Sequence, residues 1–150
     1  MELTTDVIKQ LRDATGVSVM QCKKALEEAD GDFAKAEIVL RKHSAAVADR
    51  KGDRNLGAGT VGSYIHEGTI GAMVQLSCET DFVARNPEFA TLARDLAMQV
   101  AALDPKDTDA LLKQPFIKDE TTTVRDLINA ATQKFGERVE VSRFVRFSAR

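Results

Sequence analysis

Either side of Cys78–Phe89 the hydrophobic period changes from two to three-and-four, and that switch limits what the chain can fold into. Ala72, Val74, Leu76 and Cys78 alternate with Gln75, Ser77 and Glu79, the pattern of a strand with one buried face. Beyond the switch, Phe89, Leu92, Ala93, Leu96, Ala97 and Val100 mark one face of a helix. Asn86 suits the cap of that helix, and Pro87 its first position, where a missing N–H costs nothing. The connection itself, CETDFVARNPEF, sets Phe82 and Val83 among Thr80, Asp81 and Arg85. A ring placed there either tucks back to plug the strand–helix junction or stays out to insert into a partner. Local pattern alone favours the plug, because single apolar residues in polar connections rarely carry a special role.

Upstream, residues 1–46 read as three short helices. Val7, Ile8 and Leu11 give the first its apolar face, and Thr15-Gly16 ends it. Ser18 starts the second, with Gln21 three residues on completing a capping box. Val19, Cys22, Leu26 and Ala29 form its buried stripe, while Met20 falls on the polar side with Lys23, an odd place for a thioether. Gly31 closes that helix, Asp32 caps the next, and Phe33, Ala36, Val39 and Leu40 supply its core face. Residues 47–59 lose all periodicity and read as a charged, glycine-rich linker, a plain solvated tether. Residues 60–150 then form an α+β unit. A hairpin pairs 60–66 with 71–79, the long helix runs to Leu103, and residues 105–116 are short and polar. Thr123 with Asp126 caps a further helix, and Val139, Val141, Val145 and Phe147 alternate as a last strand. The expected fold is α+β: an N-terminal three-helix bundle followed by a three-stranded antiparallel sheet packed with helices.

Composition narrows the function classes. A net charge of −2 over 150 residues argues against a general phosphate-backbone binder. No apolar run reaches a membrane-spanning length, the first residues lack a signal pattern, and the cytoplasm is the expected compartment. Cys22 and Cys78 lie in patterned helix and strand positions without metal-ligand spacing, as buried free thiols. Cys78 and His66, facing each other across the hairpin, would suit a cysteine nucleophile, but the pleat sets Cys78 among Val74 and Leu76. Glu79 and Asp81 have no second acid and no pocket, and no glycine loop precedes a helix carrying a lysine. Enzyme chemistry finds no support, and no cofactor or metal is expected. Two surfaces with unusual residues remain, Val19-Met20 beside Lys23 and Asp81-Phe82, so a partner gripped at two places is the expectation.

The two stretches LRDATGVSVMQCKKALEEADGDFAKA, residues 11–36, and CETDFVARN, residues 78–86, resemble the two signatures of the translation elongation factor Ts family. Gln114-Pro115-Phe116 and Ser142-Arg143-Phe144 extend the resemblance over almost the whole chain. It implies a guanine-nucleotide exchange factor for elongation factor Tu, meeting both its GDP-bound and nucleotide-free forms, with no direct nucleic acid or membrane partner. The N-terminal bundle is implied to be ubiquitin-associated-like and to pack on the partner's G domain through Leu11, Arg12, Val19, Met20 and Lys23. Thr80, Asp81, Phe82 and Val83 are implied to displace the Mg²⁺ that holds GDP, which reverses the reading of Phe82 towards exposure. Short, single-half members are implied to pair as homodimers. Family members usually carry further helical segments before the Gln-Pro-Phe stretch, where this chain has only residues 105–114. A module that docks on elongation factor Tu without driving exchange, and a ubiquitin-associated-like adaptor, are the alternatives.

Overall fold

The computed structural model describes residues 4–150. It has the expected α+β architecture, with helices first and then a three-stranded antiparallel sheet covered by helices on one face.

The first three helices are α1 (Thr5–Thr15), α2 (Val19–Glu28) and α3 (Phe33–Arg50). Thr4, Ser18 and Asp32 cap them, each accepting a backbone N–H three residues on, and Gly16 ends α1 in the left-handed region. Their shared core is Leu11, Val17, Cys22, Ala25, Leu26, Ala29, Ala36 and Leu40. Val19 is half-exposed rather than part of that stripe. Val17, just ahead of the cap, folds under the helix instead, and the Cys22 thiol donates to its carbonyl at 3.6 Å. That pairing of the residue before the cap with the fourth helical residue is a hydrophobic staple. Only half of the expected capping box forms. Gln21 N donates to Ser18 Oγ at 3.3 Å, but the Gln21 amide oxygen accepts from Gln133 Nε2 at 2.6 Å.

Helix α3 continues to Arg50, through residues expected to begin a linker. Ala45, Ala46 and Ala48 show no apolar stripe, yet alanine is the strongest helix former, and neighbouring Ser44 bonds Gln133. The remaining connection is anchored rather than freely solvated, since Arg138 donates to the Arg54 carbonyl at 2.6 Å.

Strands β1 (Ala58–His66) and β2 (Ile70–Cys78) form the hairpin, followed by α4 (Asp81–Ala84), α5 (Pro87–Leu103), α6 (Thr108–Lys113), β3 (Pro115–Phe116), β4 (Asp119–Thr123), α7 (Val124–Phe135) and β5 (Glu140–Ser148). The main sheet runs β1-β2-β5. Register pairs His66 with Ile70 and Cys78 with Ala58, so His66 and Cys78 sit at opposite ends of the hairpin and cannot act as a pair. On the inner face Ala72, Val74, Leu76, Cys78, Val139 and Val141 meet Phe89, Leu96 and Val100 of α5 and Val124 and Ile128 of α7. The capping box of α7, Thr123 with Asp126, forms in full.

The last strand departs from simple alternation. Its register shifts opposite Gln75/Leu76, where Gln75 pairs Arg143 and Leu76 pairs Val141. Ser142 is therefore a bulge, bonded to Ser77 through their hydroxyls at 2.6 Å. One extra residue reverses which side chains face inward. Val139 and Val141 are buried, whereas Val145 and Phe147 lie on the outer face with Val61, Ile65 and Met73.

Between α5 and α7 the sequence reading missed α6 and the β3–β4 hairpin, both too short to show a period. They hang on Gln99, which is fully buried. Its amide donates to Gln114 Oε1 at 3.1 Å and to the Pro115 carbonyl at 3.0 Å, and accepts from Ile117 N at 2.9 Å.

Candidate functional site

The connection after β2 is a single helical turn, α4, and the sequence around it explains its shape. Thr80 is extended and caps the turn, accepting Val83 N at 3.4 Å. Asn86 caps α5 immediately afterwards with Pro87 at its first turn, so the chain makes two helix starts within a few residues. Val83 and Ala84 are buried against the sheet and α5. Asp81 and Phe82, at the first two positions of α4, point the other way. Phe82 is 86 % exposed, the most exposed of the large apolar side chains among the described residues. The ring does not plug the junction; Val83 does.

Two carboxylates fasten this turn to the start of β5. Glu137 Oε1 accepts Glu79 N at 3.1 Å and Thr80 N at 3.0 Å, and its Oε2 accepts the Thr80 hydroxyl at 2.6 Å. In return, Glu79 Oε2 accepts Arg138 N at 2.6 Å, while its Oε1 lies 3.4 Å from an Arg54 guanidinium nitrogen. Arg138 also pairs with Glu140 at 2.8 Å. Neither Glu79 nor Glu137 was singled out as structural from the sequence. The signal available was only that charged residues follow a strand end and a helix-ending glycine.

The neighbouring Cys78 thiol is pushed above its ordinary value, first by burial and then by the Glu137 carboxylate. A thiol held protonated in this way is a packing group and not a nucleophile. Among the described residues no cluster of three His, Cys, Asp or Glu side chains is placed to hold a metal.

The second expected surface is split by the structure. Met20 is 68 % exposed and Val19 half-exposed on the first turn of α2, with Lys23 exposed three and four residues along the same face. Arg12 is exposed in the last turn of α1. Leu11 is different: it is fully buried in the helical core and offers no surface. The exposed residues of this group lie in the helical unit, and α4 packs on β1, β2 and α5.

The helical unit is held to the rest by α3 lying on α7. Arg41 reaches Asp126 at 3.8 Å and Thr122 at 3.5 Å, and Ser44, Gln133 and Gln21 form a polar chain. Among the described residues no helix is long and apolar enough to cross a membrane.

The family model described as Elongation factor TS matches residues 79–150, from Glu79 of the turn to the last residue. The protein named elongation factor Ts from Thermodesulfovibrio yellowstonii is 39 % identical over 191 aligned positions, covering 98 % of this chain and 96 % of that one. Those of the same name from Solibacter usitatus and Thermotoga maritima are 37 % and 39 % identical, covering 97 % and 98 % of this chain and 91 % and 96 % of theirs. An alignment of 191 positions over 150 residues holds at least 41 positions at which this chain has no residue. The relatives cover both helical and sheet units, and at these identities over these lengths the chain belongs to the elongation factor Ts family of translation elongation.

Proposed function

We propose that this chain is a guanine-nucleotide exchange factor for elongation factor Tu, working in the cytoplasm and releasing GDP by disturbing the Mg²⁺ and phosphate site of that GTPase. The observation that carries this reading is Phe82, an exposed ring on a turn whose next two residues are buried. In this reading Phe82 wedges beside the nucleotide site, and Asp81 brings negative charge to a region where the partner's own Mg²⁺ bridges protein and phosphate oxygens. Loss of that ion leaves the phosphates less well neutralised, and GDP departs faster. Thr80 and Val83 hold the turn from its two ends. The division expected from the sequence, a helical unit within residues 1–46, a connection over 47–59 and a core unit over 60–150, fits a two-point grip once the helical unit is carried to Arg50 and the core unit begun at Ala58; residues 1–3 lie outside the described part. The helical unit supplies Arg12, Val19, Met20 and Lys23 for docking on the G domain, with Leu11 supporting them from inside.

Exchange requires tighter binding to the nucleotide-free partner than to the GDP form, and linkage makes the preference mutual, so an arriving nucleotide expels the factor. Stopped-flow release of fluorescent GDP from elongation factor Tu tests the reading: strong acceleration by this chain is expected. Binding with unchanged release would make it a docking protein. Met20→Ala should leave the maximal rate in place and speed dissociation of the complex about tenfold, as interface truncations act mainly on the off-rate. Unchanged dissociation would remove Met20 from the interface.

The outer face of the sheet supports a homodimer. Val61, Ile65, Met73, Val145 and Phe147 are all exposed there on three neighbouring strands, a contiguous apolar surface of the kind that marks an interface. A 16.4 kDa chain should then sediment at about twice its mass, and Phe147→Glu should return it to monomer by placing a charge in a desolvated contact. A monomer at high concentration would exclude this use of the face.

A further inference from the structure

We propose that Glu137 is the positioning residue of the Asp81–Phe82 turn, fixing the direction in which Phe82 is presented to the partner. Helix α7 ends at Gly136, whose φ of 71° turns the chain so that the next side chain reaches back to the end of β2. There a single carboxylate takes up three donors: the Glu79 and Thr80 backbone N–H groups and the Thr80 hydroxyl. Bonds to an ionised acceptor are shorter and stronger than neutral ones. The hydroxyl bond matters most. Thr80 has one hydroxyl proton, and giving it to Glu137 at 2.6 Å leaves an oxygen lone pair for Val83 N. Glu137 therefore selects the Thr80 rotamer that caps α4. The reverse bond, Glu79 to Arg138 N, makes the contact reciprocal, so the end of β2 and the start of β5 are tied in both directions.

Downstream of the ring, Val83 and Ala84 are held by burial. Upstream, Thr80 is exposed and has no apolar anchor. The Cys78 thiol donates to the Thr80 carbonyl at 3.3 Å and Glu79 is tied to Arg138 N, but the Thr80 N–H and hydroxyl both go to Glu137, which makes a residue 57 positions from Thr80 the control on how Phe82 points. An exposed ring on a turn of four residues acts on a partner only if its direction is set beforehand; a displacement of about 1 Å in a positioned group is worth up to a hundredfold in rate.

This inference rests on the exchange reading above, and the experiment separates the two. In the full chain, Glu137→Ala should speed amide hydrogen exchange at Glu79, Thr80 and Val83 about tenfold, while Leu96 and Val100 in the core keep their protection. With elongation factor Tu it should lower the maximal rate of GDP release about tenfold and change the half-saturating concentration less than about twofold, because the docking side chains on α1 and α2 are untouched. Glu137→Gln, which keeps one oxygen acceptor, should recover most of the loss. In a Phe82→Ala background the Glu137→Ala effect on rate should vanish, the mark of a residue acting through another. Unchanged amide exchange at Glu79 and Thr80, or an equal loss of rate in both backgrounds, overturns the proposal. If the unaltered chain fails to accelerate release while those amides do speed up, the exchange reading falls and the clamp on the turn stands.

Discussion

Phe82→Ala is expected to lower the acceleration of GDP release about thirtyfold, the scale of an aromatic hot spot, while moving the melting temperature by no more than about 1 °C. The two halves of this expectation have one cause. A ring that is 86 % exposed contributes almost nothing to the core, so its removal leaves no cavity. The same ring, if it enters a partner, carries most of the contact area that the turn can offer. Asp81→Ala combined with Phe82→Ala should remove nearly all stimulation, since both exposed positions of α4 are then blank. Stopped-flow fluorescence and calorimetry on the same preparations check both halves. A melting temperature that falls by several degrees would mean that the ring packs against its own chain, and a rate that does not fall would take the turn out of the mechanism.

The largest effect on folding is expected at Gly62. This residue sits on the inner face of β1, buried, where α5 crosses the strand. A Cβ there would overlap the Ala93 carbonyl and come within 2.6 Å of Arg94 N. These are backbone atoms of a helix that is itself packed on β2 and β5, so no rotamer change relieves the clash. Gly62→Ala should cost about 3 kcal/mol or more, at the upper end of overpacking effects, and lower the melting temperature by about 10 °C. Gly68→Ala is the control. Its φ of +69° strains any side chain, but nothing lies within 4 Å, and a loss of about 1 kcal/mol is expected. Urea unfolding of the two variants side by side decides the matter; equal losses would show that α5 gives way more readily than its packing implies.

Period was the sequence's clearest message, and it was reliable where an element is long enough to repeat it. The α5 face from Phe89 to Val100 and the buried set from Ala72 to Cys78 were readable residue by residue. Caps were readable for a similar reason, since Ser18, Asp32, Asn86 and Thr123 each act within three residues of themselves. What escaped depends on distant neighbours. Gln21 abandons half of its capping box for Gln133, over a hundred positions away. Gln99, placed mid-helix among alanines and valine, looks like a surface amide until the β3–β4 hairpin supplies its partners. Alanines continue α3 with no stripe to announce them. At the candidate site the helical pattern already put Met20 on the polar side with Lys23, whereas the exposure of Phe82 followed from family resemblance and not from pattern. Glu137 was invisible because a carboxylate after a helix-ending glycine has many ordinary uses.

The bulge at Ser142 divides β5 into two stretches answerable to different demands. Before it, Val141 and, just ahead of the strand, Val139 are committed to the interior; after it, Arg143, Val145 and Phe147 look outward. Drift at those three positions leaves Phe144, which packs on the core between them, in place, so the stickiness of the outer face is adjustable without re-solving the core. Deleting Ser142 would end this independence at once. Phe147 would swing inward, Arg146 would lose the Ala101 carbonyl to which it donates at 3.1 Å, and a charged side chain would turn to the open side. One supernumerary residue thus allows a single strand to evolve at two rates.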